Sequence, residues 1–190
     1  MMKKVAVLWS SPNDDGLTAS AKDNFIKGLA GAGAEVDEIH LNRKKIDHCR
    51  ACGNGWGTCN KAGKCVIRDD FSDIYKTLIE ADGIVWISAV YWSDMTECFK
   101  AFFDRLRRCE ASYNHSLKDK RCILIACAGG TGRGTLDCMQ QLEKGLTHMG
   151  MRVYDRISVV RYNKDYILPA LVNAGETYAN VLETGFDMYY

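Results

Sequence analysis

The chain has 190 residues, 25 Lys and Arg against 24 Asp and Glu, a formal net charge of +1 and 47% hydrophobic residues. That length buries one core without covalent staples, and the composition is that of a globular domain. The balanced charge excludes a broad basic footprint for nucleic acid or an anionic membrane, no apolar run is long enough for a membrane span, and no signal-peptide pattern opens the chain. One cytoplasmic domain over residues 1–190 is expected.

In chain order, Lys3 to Trp9 turns from polar to continuously apolar, the pattern of a strand buried on both faces. A helix is expected from about Leu17 to Ala30, stopped by Gly31 and Gly33. Glu35 to Leu41 is a second strand. Residues 42–68 form a polar insertion rich in Gly and Cys, longer than an ordinary connection. Asp69 and Asp70 cap a helix running to about Ala81. Gly83 to Val90 is a third strand, and Thr96 to Cys109 a helix with Phe99, Phe102, Phe103 and Leu106 on one face. Arg121 to Ala128 is a fourth strand, Leu136 to Met149 a helix and Met151 to Val160 a fifth strand. A terminal helix from Asp165 to about Leu182 has Pro169 in its first turn or at its start.

Strands alternating with helices predict right-handed crossovers: an α/β fold with a doubly wound, five-stranded parallel sheet, order 2-1-3-4-5, and helices on both faces. Ligands of such sheets lie beyond the carboxyl ends of the strands, where the strand order reverses. That rule selects three loops. The first, Ser10 to Ser20, combines hydroxyls with a helix start, the make-up of an anion site or of an ordinary capped turn. It carries neither a dinucleotide fingerprint nor a P-loop. The second, Ala89 to Met95, places Tyr91 and Trp92 beyond a buried strand, either as a face for a planar ring or as sheet-edge packing. The third, Ala128 to Gly134, has four glycines that let backbone approach a ligand closely.

Taken together, these loops resemble the flavodoxin-like NAD(P)H-dependent FMN reductase family. The matching stretches are Ser10-Ser11-Pro12-Asn13 with Gly16-Leu17-Thr18, Ser88-Ala89-Val90-Tyr91-Trp92 continuing to Phe99 through Arg105, and Gly129-Gly130-Thr131-Gly132. The resemblance implies a flavodoxin-like fold with FMN as cofactor and NAD(P)H as co-substrate. It places the FMN phosphate on Ser10, Ser11, Asn13, Leu17, Thr18 and Ala19. Val90, Tyr91, Trp92, Ser93, Asp94 and Met95 would line the isoalloxazine, and Ala128, Gly129, Gly130, Thr131 and Gly132 would close over its pyrimidine side. Two positions depart from the family pattern. Ala89 stands where proline is usual. Asp14 and Asp15 stand where basic or neutral residues are usual, which directs phosphate binding to amides and hydroxyls. The flavin carries the redox chemistry, so no general acid or base is assigned.

Cys49, Cys52, Cys59 and Cys65 give C-x2-C-x6-C-x5-C. The position of this loop, and the Val66 to Asp70 segment after it, resemble the iron–sulfur flavoprotein branch of the fold. That implies a [4Fe-4S] cluster on these four cysteines, although the branch has two residues where Gly53 to Thr58 stand here. Structural zinc and metal-free thiols remain the alternatives. The other five cysteines fall in apolar segments, as small hydrophobes do. Arg105, Arg107 and Arg108, late in their helix, offset its dipole or attract the extra phosphate of NADPH. The expected partners are a small-molecule electron acceptor or a ferredoxin-like protein. The resemblance also implies a homodimer or tetramer, with residues 165–190 as the oligomerisation arm.

Overall fold

The computed structural model describes residues 2–110 and 114–187. Tyr189 and Tyr190 of the expected oligomerisation arm lie outside them.

Five parallel strands form one sheet: β1 (Lys4–Ser10), β2 (Glu35–His40), β3 (Gly83–Ala89), β4 (Arg121–Ala128) and β5 (Arg152–Val160). Their order is β2-β1-β3-β4-β5, as the pattern of elements predicts. The helices are α1 (Leu17–Gly31), α2 (Thr58–Ala62), α3 (Phe71–Glu80), α4 (Glu97–Cys109), α5 (Thr135–His148) and α6 (Lys164–Thr184).

The apolar runs of β1, β3 and β4 serve two cores at once, because successive side chains leave a strand on opposite faces. Ala6, Leu8, Ile84, Trp86, Leu124 and Ala126 face α3, α4 and α5, where Phe71, Phe99, Phe102 and Leu142 cover them. Val5, Val7, Val85, Ile87, Ile123 and Ile125 face α1 and α6, where Phe25, Leu29, Leu171 and Tyr178 cover them. Each fully buried side chain of this size contributes about 1.5–3 kcal/mol relative to exposure.

Helices α1 and α6 cross at bare backbone. A Cβ on Gly28 would lie 2.0 Å from the Val172 carbonyl oxygen, and one on Gly175 would lie 2.3 Å from that of Phe25. Alanine at either site would push the helices apart, an overpacking that costs at least about 1–3 kcal/mol. The Tyr178 hydroxyl accepts from the Ile84 amide at 2.9 Å and donates to the Arg121 carbonyl at 2.8 Å, pinning α6 across two central strands.

Three local expectations change. The helix α6 begins at Lys164, so Pro169 lies inside it and past the first turn; the proline nitrogen leaves the Asp165 carbonyl without its helical donor. Asp70 precedes α3 but makes no side-chain cap; its carboxylate accepts from the Lys45 amide, and Asp69 accepts from Phe71 instead. The cysteine-rich insertion is not uniformly irregular, since it contains the short helix α2.

Candidate functional site

The strand register aligns Ser10 with Ser88, and Ser88 with Ala126, so the loops after β1, β3 and β4 leave the sheet side by side at its carboxyl edge. The strand order reverses between β1 and β3, which places the crevice between the first two of these loops.

In the first loop the helix α1 starts bare. Gly16 is the residue before it, no side chain caps it, and no acidic residue stands in its first turn. Among the described residues the amides of Leu17, Thr18 and Ala19 have no hydrogen-bond acceptor, whereas Ser20 bonds back to Gly16. Free N–H groups at a positive helix end form a cradle for a phosphate. Asp14 does not compete for it. Its carboxylate accepts from Arg43 Nη2 at 2.7 Å and lies 3.4 Å from His40 Nδ1. His40 is itself fixed, stacked 3.6 Å from the Trp9 ring, with Nε2 2.8 Å from the Ser11 carbonyl oxygen.

The candidate residues of this loop divide by accessibility. Ser10 is fully buried, and its hydroxyl contacts Asn42 Oδ1 at 3.2 Å, Cys98 Sγ at 3.3 Å and Thr96 Oγ1. Ser10 therefore ties the loop to the start of α4 and, being fully buried, presents no surface to a ligand. Ala19 and Thr18 are also buried. The Ser11 hydroxyl accepts from the Asn13 amide at 3.2 Å, bending the loop at its tip.

The second loop is a two-residue turn. Tyr91 and Asp94 exchange both backbone hydrogen bonds, at 2.8 and 2.9 Å. Trp92 and Ser93 between them take φ of 51° and 67°, so the turn has the left-handed geometry at both central positions that glycine or asparagine usually supplies. Placing a tryptophan there costs of order 1–3 kcal/mol, and the ring is left completely exposed, at 102%. Tyr91 beside it is exposed, and Met95 turns into the core. The third loop lies against this turn. A Cβ on Gly134 would be 2.8 Å from Ser93 Cα, and the Val90 amide donates to the Cys127 carbonyl at 2.9 Å. A Cβ on Gly129 or Gly130 would meet nothing, so that stretch of backbone is open to a ligand. Gly132 turns at φ 77°, and its carbonyl accepts from the Thr135 hydroxyl at 2.8 Å.

Two cations join this edge without any signal in the loops already named. Arg161 and Lys164, at the junction of β5 and α6, border a cleft of about 440 Å³ together with Asp15, Gly16, Leu17, Ser20, Gly129 and Leu168, so two cations face the one carboxylate there. The fifth strand ends at the same edge of the sheet, and that topology is the clue that points to them.

The insertion forms a second site on the face of α3 and α4. Cys49, Cys52, Cys59 and Cys65 all line one partly open space of about 30 Å³, with Val66, Ile67, Arg105, Arg108 and Cys109 also on its wall. All nine cysteines are free. Among the described residues no three His, Cys, Asp or Glu side chains close on one point as a single ion requires. The four thiols ring a space instead, with no carboxylate or imidazole on the wall. A thiolate-only set suits a sulfide-bridged iron cluster. Cys109 is set apart from them, since burial and the neighbouring Cys65 and Cys59 push its thiol up to about 12. It remains a neutral thiol.

Polar contacts hold the insertion on the domain. Arg108 Nη1 donates to the Gly55 carbonyl, and its guanidinium lies 4.8 Å from the centre of the Trp56 ring. Asn114 donates to the Gly63 carbonyl and to the Tyr75 hydroxyl, both at 2.9 Å. Tyr75 in turn donates to the buried carboxylate of Glu110. Arg105 is buried in an ion pair with Asp69 and so does not reach a nucleotide phosphate in solvent.

A family model described as NADPH-dependent FMN reductase matches residues 3–164. Over 134 residues the chain is 34% identical to an iron-sulfur flavoprotein of Archaeoglobus fulgidus, covering 70% of this chain and 57% of that one. An iron-sulfur flavoprotein of Methanocaldococcus jannaschii is 30% identical over 139 residues, covering 73% and 69%. Among solved structures, the NAD(P)H:quinone oxidoreductase of Methanothermobacter marburgensis superposes with a TM-score of 0.74 at 18% identity, covering 100% of both chains. A flavodoxin from the domain Archaea does so with a TM-score of 0.65 at 16% identity, covering 95% of this chain and 99% of that one. These likenesses define a flavodoxin-like α/β domain. The chain belongs to the NADPH-dependent FMN reductase family, a group of flavin oxidoreductases. Among the described residues no helix is long and apolar enough to cross a membrane.

Proposed function

We propose that the chain is an FMN-dependent oxidoreductase that takes electrons from a reduced nicotinamide and passes them on through a [4Fe-4S] cluster held by Cys49, Cys52, Cys59 and Cys65. The observation that carries the flavin assignment is the bare start of α1, whose three unpaired amides share the sheet edge with the open backbone of Gly129 and Gly130. Bound FMN supplies the redox chemistry, accepting electrons in pairs and releasing them singly. The residues of this chain do the rest. The amides of Leu17, Thr18 and Ala19 hold the phosphate, with Arg161 and Lys164 adding positive charge at the cleft. Trp92 covers the ring, and the glycine loop sets its polar edge against backbone groups.

The cluster assignment is supported by the convergence of four thiols on one space and by the names of the relatives. Both sites meet α4. Thr96, bonded to Ser10, caps its start, and Arg105 on the cysteine wall is nine residues further on, about 14 Å along a helix axis.

A second reading is an electron carrier that exchanges single electrons with a ferredoxin-like protein. It is favoured by the exposed Trp56 on the insertion, between Cys52 and Cys59 in sequence. Mixing the anaerobic protein with NADH, NADPH or reduced ferredoxin separates the two readings. Fast flavin bleaching by a nicotinamide supports the reductase. Bleaching by reduced ferredoxin alone assigns the carrier, and a protein that binds no flavin overturns both.

A further inference from the structure

Arg105 is 1% exposed, as is its partner Asp69. Three of the five guanidinium N–H groups are used. Nη1 donates to Asp69 Oδ2 at 2.6 Å and to the Asp47 carbonyl at 2.9 Å, and Nη2 donates to Asp69 Oδ1 at 2.8 Å. The Phe71 ring stacks against it at 4.3 Å. Arg105 Nε is buried and has no hydrogen-bond partner. A buried unpaired N–H costs about 1–3 kcal/mol, more when it is charged, so a native site that keeps one needs a reason.

The surroundings supply that reason. Arg105 lines the same space as the four cysteines, and of these Cys65 is the one that bears on the guanidinium, through both its charge and a side-chain hydrogen bond. Four thiolates around a doubly positive iron–sulfur core leave a buried dianion, which is costly without donors and cations around it. Arg105 and Arg108 are the cations on the buried side of the wall, and Arg108 is already committed to Gly55 and Trp56.

We propose that Arg105 donates its Nε–H to a sulfur of the cysteine-held cluster, at or beside Cys65, and thereby raises the reduction potential of that cluster. This inference rests on the cluster reading above. Asp69 and Asp47 serve as positioning residues: they lock the guanidinium plane so that Nε, its one nitrogen without a partner, faces the sulfur. Hydrogen bonds to sulfur stabilise the more negative, reduced state and are one of the main determinants of cluster potential.

The test is an EPR-monitored redox titration of anaerobically reconstituted wild-type protein and Arg105→Lys, with iron, sulfide and FMN counted and thermal melting followed for each. Lysine keeps the charge opposite Asp69 but removes the Nε–H. We expect full iron in both proteins. Poised at the wild-type midpoint, the variant should show a reduced-to-oxidised ratio about tenfold lower, or about 59 mV for a one-electron couple. An unchanged midpoint in a fully loaded variant overturns the inference and leaves the cluster reading intact. Wild-type protein that takes up no iron overturns both. Should the variant not fold, wild-type protein labelled with 15N at arginine Nε decides the matter. A nitrogen hyperfine coupling on the reduced cluster supports the bond, and its absence overturns it.

Discussion

Arg43 Nη2 lies 2.7 Å from Asp14 Oδ2, across 29 residues of sequence, and this pair explains how a carboxylate is tolerated next to a phosphate cradle. The hydrogen bond from Arg43 holds the Asp14 carboxyl below its ordinary range, so it is ionised at neutral pH with its charge answered locally. We predict that Arg43→Ala, which frees that charge, weakens FMN binding several-fold at low salt. The loss should shrink toward 1 M salt, where screening acts over about 3 Å. Adding Asp14→Asn should restore affinity. Titration of FMN fluorescence measures all three proteins; equal dissociation constants for wild type and Arg43→Ala would show that Asp14 is not sensed by the phosphate.

Trp92 combines full exposure with a left-handed backbone, a costly choice with no packing return among the described residues. Replacing it with glycine removes the steric cost, and we expect the fold to gain about 1 kcal/mol in urea denaturation. The same change should slow flavin reduction by nicotinamide at least several-fold, because the ring no longer covers the cofactor. A variant that is more stable and equally fast would assign Trp92 to another task.

Gly134 is the contact between the second and third loops. In Gly134→Ala the new Cβ would meet Ser93 Cα at 2.8 Å, so backbone must move on backbone. A cost of about 1–3 kcal/mol in stability is expected. FMN affinity should fall by tenfold or more, since both loops that hold the ring are displaced. Melting temperature and FMN content after gel filtration give the two readings, and full FMN occupancy would contradict the assignment of these loops.

The buried Asp69–Arg105 pair predicts a pH dependence. Burial acts to raise the Asp69 pKa, but hydrogen bonds from Arg105 and from the Asp47 and Phe71 amides outweigh it, and the net shift is downward from 3.8. A carboxyl whose folded pKa is depressed stabilises the fold above its unfolded value, near 3.9, and that stabilisation is lost as pH falls through the lower folded value. Asp69→Asn should therefore cost about 3–5 kcal/mol at pH 7, because Arg105 is left buried without its counter-charge. It should also flatten the fall of stability below about pH 4. Urea melts across pH 3–7 test both, and equal slopes for the two proteins would refute the assignment.

Much of the fold was legible because it rests on periodicity. The continuous apolar runs of β1, β3 and β4 announce strands covered on both faces, and the spacing of Phe99, Phe102 and Leu106 announces the buried face of α4. The three site loops followed from topology. What stayed hidden depends on contacts between distant residues. Asp69 and Arg105 are 36 apart in sequence, and neither looks buried in isolation. Ser10 reads as a phosphate ligand until its hydroxyl is seen against Thr96. The left-handed turn at Trp92 and Ser93 defeats propensity, because these residue types rarely adopt it. Five-residue α2 is too short for any period to show, and Pro169 sits inside α6 because packing against α1 outweighs one lost hydrogen bond.

The visible spectrum of protein purified without oxygen, with FMN, iron and sulfide counted on the same sample, tests the central claim most directly. One FMN per chain together with broad cluster absorption and four irons is the expected result, and Cys52→Ala should lose the iron while keeping the flavin bands. A protein that carries no FMN and takes up none when it is supplied would contradict the assignment of the sheet edge as a flavin site.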